Sequence, residues 1–271
     1  MKNSFLLFML IFNACYCGAQ TVLIESFENW LPPGWSVTPA ENGWTQSAEG
    51  CEGTFGPGAA YDGKFAASID LSLTALNEGY DLVSQEFDIS DLKNPEVSFA
   101  YFYKRTSTAD PFKIEVLAGY RRNGNVEFES LAYIEPENGM SEWKTFSRVI
   151  NRNAIQIKIR ASKSVGATFR PLYIDNFCLS EGPSVAAPVE LKYSYHTGED
   201  GKLSISWKAI NDENKWNLKL SDKEINPETD KADIEAVIDN TPSYTATGLV
   251  PGTTYYVYVQ TVSGTETSEC Y

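Results

Sequence analysis

The chain has 271 residues, 13% of them aromatic, with 22 Lys+Arg against 36 Asp+Glu and a formal net charge of −14. A surface this acidic repels phosphate backbones and anionic lipid heads, which excludes nucleic acid as a partner. The length points to two domains, and the charge suits a soluble extracellular protein or one that binds divalent cations.

At the N-terminus, Lys2 precedes the apolar run Phe5–Phe12, and Ala19 offers a small residue before Gln20. Residues 1–19 read as a signal peptide, because so short an apolar run falls well below the roughly 20 residues that span a bilayer. An alternative makes Cys15 a lipid-modified cysteine. Beyond this leader stand Cys51, Cys178 and Cys270. An odd number allows at most one internal disulfide, and the sequence leaves open whether Cys51 and Cys178 meet. The mature chain has no Cys-x-x-Cys, which argues against a zinc ribbon or a thioredoxin-type centre.

Strands follow one another. Val97, Phe99, Tyr101 and Tyr103 alternate along one segment, Phe112, Ile114, Val116 and Ala118 along the next, and Ile155, Ile157 and Ile159 along a third. Period-two alternation of this kind marks strands with one face buried and one wet. Turn clusters separate them, among them Asn123–Asn125 and Pro136–Gly139. The small and proline residues of 182–187 form a short stiff linker between residues 20–181 and 188–271. Past it, Leu203, Ile205 and Trp207 alternate, then Trp216, Leu218 and Leu220. The fold class is all-β.

Leu249, Pro251, Gly252, Thr253, Tyr255, Val257 and Val259 resemble the corner that leads into the sixth strand of a fibronectin type III domain. The resemblance implies an immunoglobulin-like β-sandwich over 188–271. In it the Tyr255 hydroxyl bonds back to nearby backbone, the valines face the core, and Trp207 takes the place of the family's core tryptophan. A last strand is expected after the stretch ending at Cys270, either short or completed by sequence beyond Tyr271; truncation is the favoured reading.

Residues 22–181 carry a second resemblance, to the jelly-roll domains of the MAM-like, cleaved-adhesin and choice-of-anchor group. Glu25–Trp35, Asp62–Ser68, Tyr80–Ser90, the strand with Phe99, Ser141–Phe146 and Tyr173–Leu179 match in the expected order. The Pro that usually follows such an "LVS" is Gln85 here, and no strand ends in a doubled Asp. The resemblance implies a jelly-roll β-sandwich used for adhesion or glycan binding, with calcium where the first and last strands meet. Carried across, Glu28 and Asp175 are the first candidate ligands, with Glu25 and Asp62 as further oxygen donors. Calcium takes six to eight hard oxygens, loop carbonyls included.

Catalytic constellations are nearly absent. The single histidine, His196, has no nucleophile motif beside it, and Gly53–Gly58 lacks the Lys-Ser/Thr of a phosphate loop. Nothing singles out a glycosidase-like carboxylate pair. Binding then rests on aromatics and charged neighbours: Trp44, Tyr120, Arg121 and Arg170 foremost, with Trp30, Tyr61, Trp143 and Arg122 as further candidates. Trp35, Trp44 and Trp143 have packing as their alternative role. The function expected is a secreted or cell-surface, non-catalytic protein that binds a glycan or an extracellular or host matrix protein, with no membrane span. The competing expectation is an accessory binding region of a larger secreted hydrolase.

Overall fold

The structure, a computed structural model, describes residues 21–52, 56–70, 79–103, 112–135, 140–163, 171–195 and 201–270. Its first unit contains β1 (Thr21–Glu25), β2 (Ser36–Thr38), β3 (Thr45–Gln46), β4 (Ala67–Asp70), β5 (Gly79–Val83) and β6 (Pro95–Tyr103). It continues with β7 (Phe112–Arg122), β8 (Asn125–Ile134), β9 (Lys144–Val149), β10 (Gln156–Lys163) and β11 (Pro171–Glu181). One sheet runs β3-β4-β11-β6-β9 with β1 also on β11, and the other runs β2-β5-β10-β7-β8. All pairings are antiparallel. This is the expected jelly-roll sandwich.

The alternating apolar residues place the core. Ile114, Val116 and Ala118 of β7, Ile157 and Ile159 of β10 and Leu82 of β5 face Val97, Phe99 and Leu179 of the opposite sheet, each at most 1% exposed. Full burial of an aliphatic side chain stabilises by about 1.5–3 kcal/mol, so these positions dominate the fold. The β7–β8 connection is the two-residue turn Asn123-Gly124, with φ of 50° and 83°. Two positive φ values twist a hairpin the way its strands twist, which explains the Asn-Gly pair.

β11 departs from simple alternation, since its nine inner residues are all buried. So does β6, where Ala100 and Phe102 are as buried as Phe99. A satellite core of Cys51, Ala66, Phe102, Met140 and Tyr173, flanked by Trp143, covers the outer side of these central strands. Cys51 lies within it as a fully buried free thiol, 3.4 Å from Ser47 Oγ. The Cys51–Cys178 cross-link that the sequence left open is therefore not formed.

The second unit contains β12 (Val189–Tyr195), β13 (Leu203–Lys208), β14 (Lys215–Ser221), β15 (Ile234–Asp239), β16 (Ser243–Ala246), β17 (Tyr256–Ser263) and β18 (Glu266–Thr267). Its sheets run β12-β13-β16 and β15-β14-β17-β18. Trp207 and Trp216 meet edge to face at 5.7 Å in the core. The Val250 amide donates to Tyr255 Oη at 3.1 Å, closing the expected corner. The last described strand, β18, falls within the stretch ending at Cys270, before the place expected for a last strand, and pairs over two residues.

The linker packs between the units, with Val185 and Ala186 buried. Asn94 is its anchor. Its side-chain amide donates to Pro183 O and Ser184 O, its own N–H donates to Glu181, and its Oδ1 accepts from Asn211 of the second unit. Asn151 donates to Ile210 O, and Arg152 pairs with Asp212.

Candidate functional site

The candidate cation residues gather where β1 and β4 share one edge of β11. β1 pairs with residues 177–180 and β4 with residues 171–174, so Asp175 sits at the gap between them, beside a bulge in the β6 register. Asp175 Oδ2 accepts the N–H groups of Tyr61 and Asp62 at 2.8 and 2.9 Å, and Oδ1 accepts that of Asn176. Glu28 holds the other end of the same loop, its Oε1 accepting the N–H groups of Lys64 and Phe65 at 2.8 Å each. Gly63 lies between them, where an added Cβ would stand 2.4 Å from the Glu28 carboxylate. A side chain there would displace the Glu28 carboxylate, and the φ of 67° is one that side chains resist.

Burial pushes the Asp175 carboxyl up to about 7, against the opposing pull of hydrogen bonds from Asp62, Asn176 and Tyr61; the Asp62 charge adds to the rise. Desolvation disfavours the charged form here, and the three backbone N–H groups favour it without fully offsetting burial. Glu25 Oε1 accepts the Phe27 N–H at 2.7 Å. Asp62 contributes its backbone to the loop while standing exposed. Among the described residues no three His, Cys, Asp or Glu side chains cluster closely enough to hold a metal by themselves. The carboxylates of Glu28 and Asp175 are hard oxygen donors, the type that calcium prefers.

The ligand candidates fare differently. Trp44 is 1% exposed and its indole N–H donates to Tyr80 O at 2.9 Å, so it is a core residue with no face for a ligand. Tyr120 is half-buried and packs on the main core, with the Arg122 guanidinium 5.8 Å from its ring centroid. Arg121 is exposed but already grips both oxygens of Glu86, at 2.8 and 2.7 Å. Arg122 pairs with Glu127 and Glu129. Arg170 and His196 lie outside the described residues. Trp35 is 6% exposed, wedged edge to face between Phe27 and Phe177. Trp30 packs against the core, and Trp143 donates to Ala59 O and meets the ring of Tyr61.

What the sequence did not single out is the outer face of β2-β5-β10-β7-β8. The register lines up Thr38, Asp81, Arg160, Glu115 and Tyr133, one from each strand. Asp81 is 7% exposed and gripped by Arg160 at 2.7 and 2.9 Å and by Lys158 at 3.0 Å. Burial would raise its carboxyl, yet the hydrogen bonds of Arg160 and Lys158 outweigh burial and hold it below the ordinary value. Tyr133, 61% exposed, ends the row with Lys113 Nζ 5.7 Å from its ring centroid. In the neighbouring rows Lys158 Nζ lies 3.9 Å from the Phe128 centroid, and Phe128 covers the bare backbone of Gly119. The face thus combines an open aromatic ring, a second half-covered ring and fixed charges, the combination by which flat polar ligands are stacked and oriented.

Strand ends on this unit also converge. Asp70 lies opposite Pro171, Gly79 opposite Ser162, Phe112 opposite Lys163, Ile114 opposite Ile134 and Lys144 opposite Tyr101. These strand ends therefore lie at one end of the sandwich, next to the Tyr133 row.

Comparison with known proteins finds a family match for the second unit and structural similarities for the chain. Residues 186–270 match the fibronectin type III domain family and form such a domain. The chain is structurally similar to the K1 cleaved adhesin domain of Lys-gingipain from Porphyromonas gingivalis W83, with 16% identity, 60% of this chain and 99% of that chain covered, and a TM-score of 0.42. It is also similar to the CBM22-2 xylan-binding domain from Paenibacillus barcinonensis Xyn10C, at 13% identity, coverage of 59% and 99%, and a TM-score of 0.39. The C-terminal family 22 carbohydrate binding module of Clostridium thermocellum Xyn10B gives 15%, 60% and 95%, and 0.38. A search of curated proteins finds no match.

Proposed function

We propose that this chain is a secreted, non-catalytic binding protein whose jelly roll holds an extracellular glycan on the outer face of its five-stranded sheet. The observation that carries the reading is the Tyr133 row, where a ring 61% exposed stands beside charges locked in place by Asp81. Sugar rings bind by stacking on such a ring while neighbouring charged groups orient their hydroxyls. Groups held by ion pairs lose little further entropy when a ligand arrives, which favours affinity. The leader over residues 1–19 supports export, either into solution or to the cell surface through Cys15. Among the described residues no helix is long and apolar enough to cross a membrane.

Calcium belongs to the same proposal, at the β1–β4 junction with Glu28 and Asp175 as its carboxylates. Its contribution there is to offset the buried Asp175 charge and tie the 61–65 loop to β11; it takes no part in chemistry.

Arrays of plant, bacterial and host glycans, with matrix proteins alongside, test the proposal. Binding to a glycan class that Tyr133→Ala weakens roughly tenfold, about 1.4 kcal/mol, is the expected result. Binding only to matrix proteins, or glycan binding indifferent to Tyr133→Ala, would overturn it.

A further inference from the structure

A cation without a carboxylate partner stands beside the open ring of Tyr133. Lys113 of β7 is exposed, and its Nζ lies 5.7 Å from the Tyr133 ring centroid, within the range of a cation–π contact. It forms no ion pair with the described residues. Glu115, two residues along the strand, lies across from Arg160 and faces that charge instead. With a net charge of −14 the chain as a whole repels anions, so an anionic ligand needs cations where it docks.

The register brings a second cation to the same place. Ser162 of β10 lies opposite Lys113 on one side and Gly79 on the other, in the outward row next to that of Tyr133. Arg160, two residues from Ser162, shares its face. A Cβ added to Gly79 would stand 2.6 Å from Arg160 Nε and 2.8 Å from its Cδ, so the arginine side chain lies across the bare Gly79 backbone. Its guanidinium is fixed there by Nε and Nη2, which donate to the two oxygens of Asp81. Nη1 donates to no described residue. The arginine is therefore held with one edge unused, and half-buried Ser162 separates it from Lys113.

We infer that the glycan taken by this face is acidic: a sugar ring stacks on Tyr133 while its carboxylate or sulfate is received by Lys113 and the unused Nη1 of Arg160, beside Ser162. The inference rests on the reading of this face as a glycan site and adds the charge of its ligand. A guanidinium already oriented by Asp81 gives charge-assisted hydrogen bonds to an anionic oxygen at little further ordering cost. The exposed Lys113 stem swings from the ring to the acid group and adds a point charge there. A neutral sugar keeps the stacking and loses the charge-assisted bonds.

Titration calorimetry on the full chain tests this with matched oligosaccharides: uronic-acid oligomers against the same oligomers reduced to neutral at their carboxyls, and sulfated oligomers against their desulfated forms. At least one acidic member is expected to bind roughly tenfold or more tightly than its neutral counterpart at low salt, with the advantage shrinking as salt is added. Which pair shows the gap tells carboxylate from sulfate. Lys113→Gln, a change at an exposed side chain, should cut binding of the acidic member severalfold or more and leave the neutral one unaffected, whereas Tyr133→Ala weakens both. Equal binding of acidic and neutral members, still weakened by Tyr133→Ala, would overturn the inference and leave the glycan site standing. An acidic preference indifferent to Lys113→Gln would also overturn it. Binding of no member would overturn the inference and the glycan reading together.

Discussion

Asp81→Asn is the most exacting test of how the binding face is held. The substitution keeps the shape and removes the charge facing Arg160 and Lys158. Side-chain exposure is 10% for Asp81, 13% for Lys158 and 36% for Arg160. Breaking a buried ion pair costs about 3–5 kcal/mol, while exposed pairs are worth about 0–1 kcal/mol. With one cation partly solvated, the loss falls between these limits, at roughly 2–3 kcal/mol. For a unit of this size that lowers the melting temperature by about 4–12 °C. The pH profile provides a second readout. The folded carboxyl lies below its ordinary value, so its contribution is complete above the unfolded value of about 3.9 and disappears as pH falls through the lower, folded one. Thermal unfolding of wild type and variant from neutral pH into acid should therefore converge on the acid side. A variant within about 0.5 kcal/mol of wild type at neutral pH, or a gap that persists at low pH, would refute the reasoning.

Two further expectations follow from the structure. Added calcium should raise the melting temperature of the jelly roll, by as much as about 2.7 kcal/mol of stability at a hundredfold excess over Kd, and a chelator should reverse the gain. Asp175→Ala should abolish that response, and a melting curve indifferent to calcium in wild type would remove the proposed site. Tyr255→Phe leaves the Val250 N–H without its acceptor and should cost the fibronectin type III unit about 1 kcal/mol in urea unfolding, with the jelly roll unaffected.

Much of the fold could be read from local pattern. Alternation located β7, β10, β13 and β14 because each has one buried and one wetter face, and the Pro-Gly corner before Tyr255 carried its own geometry. β11 was harder, because a strand covered on both faces has no alternation to display. The Tyr133 face was hidden for a more specific reason. A bulge at Leu131 shifts the register, so that Ser130 faces Leu117 and Ala132 faces Val116. Phe128 and Tyr133, an odd number of residues apart, therefore share one face against simple period two. Trp44 shows the reverse. A tryptophan in a loop-rich stretch suggests a ligand platform, yet its indole N–H satisfies Tyr80 O inside the core. The bond depends on a strand 36 residues away, which local pattern cannot supply. Glu28 and Asp175, residues distant in sequence, were linked only by resemblance, and the structure joins them through one five-residue loop.

The binding face itself is most directly tested by mapping amide chemical-shift changes as a bound oligosaccharide from the array is titrated into the chain. The account predicts shifts concentrated at Lys113–Leu117, Phe128–Tyr133 and Gln156–Arg160, with the surroundings of Trp44 unchanged. Shifts confined to the second unit, or to the opposite sheet around Asp175, would contradict it.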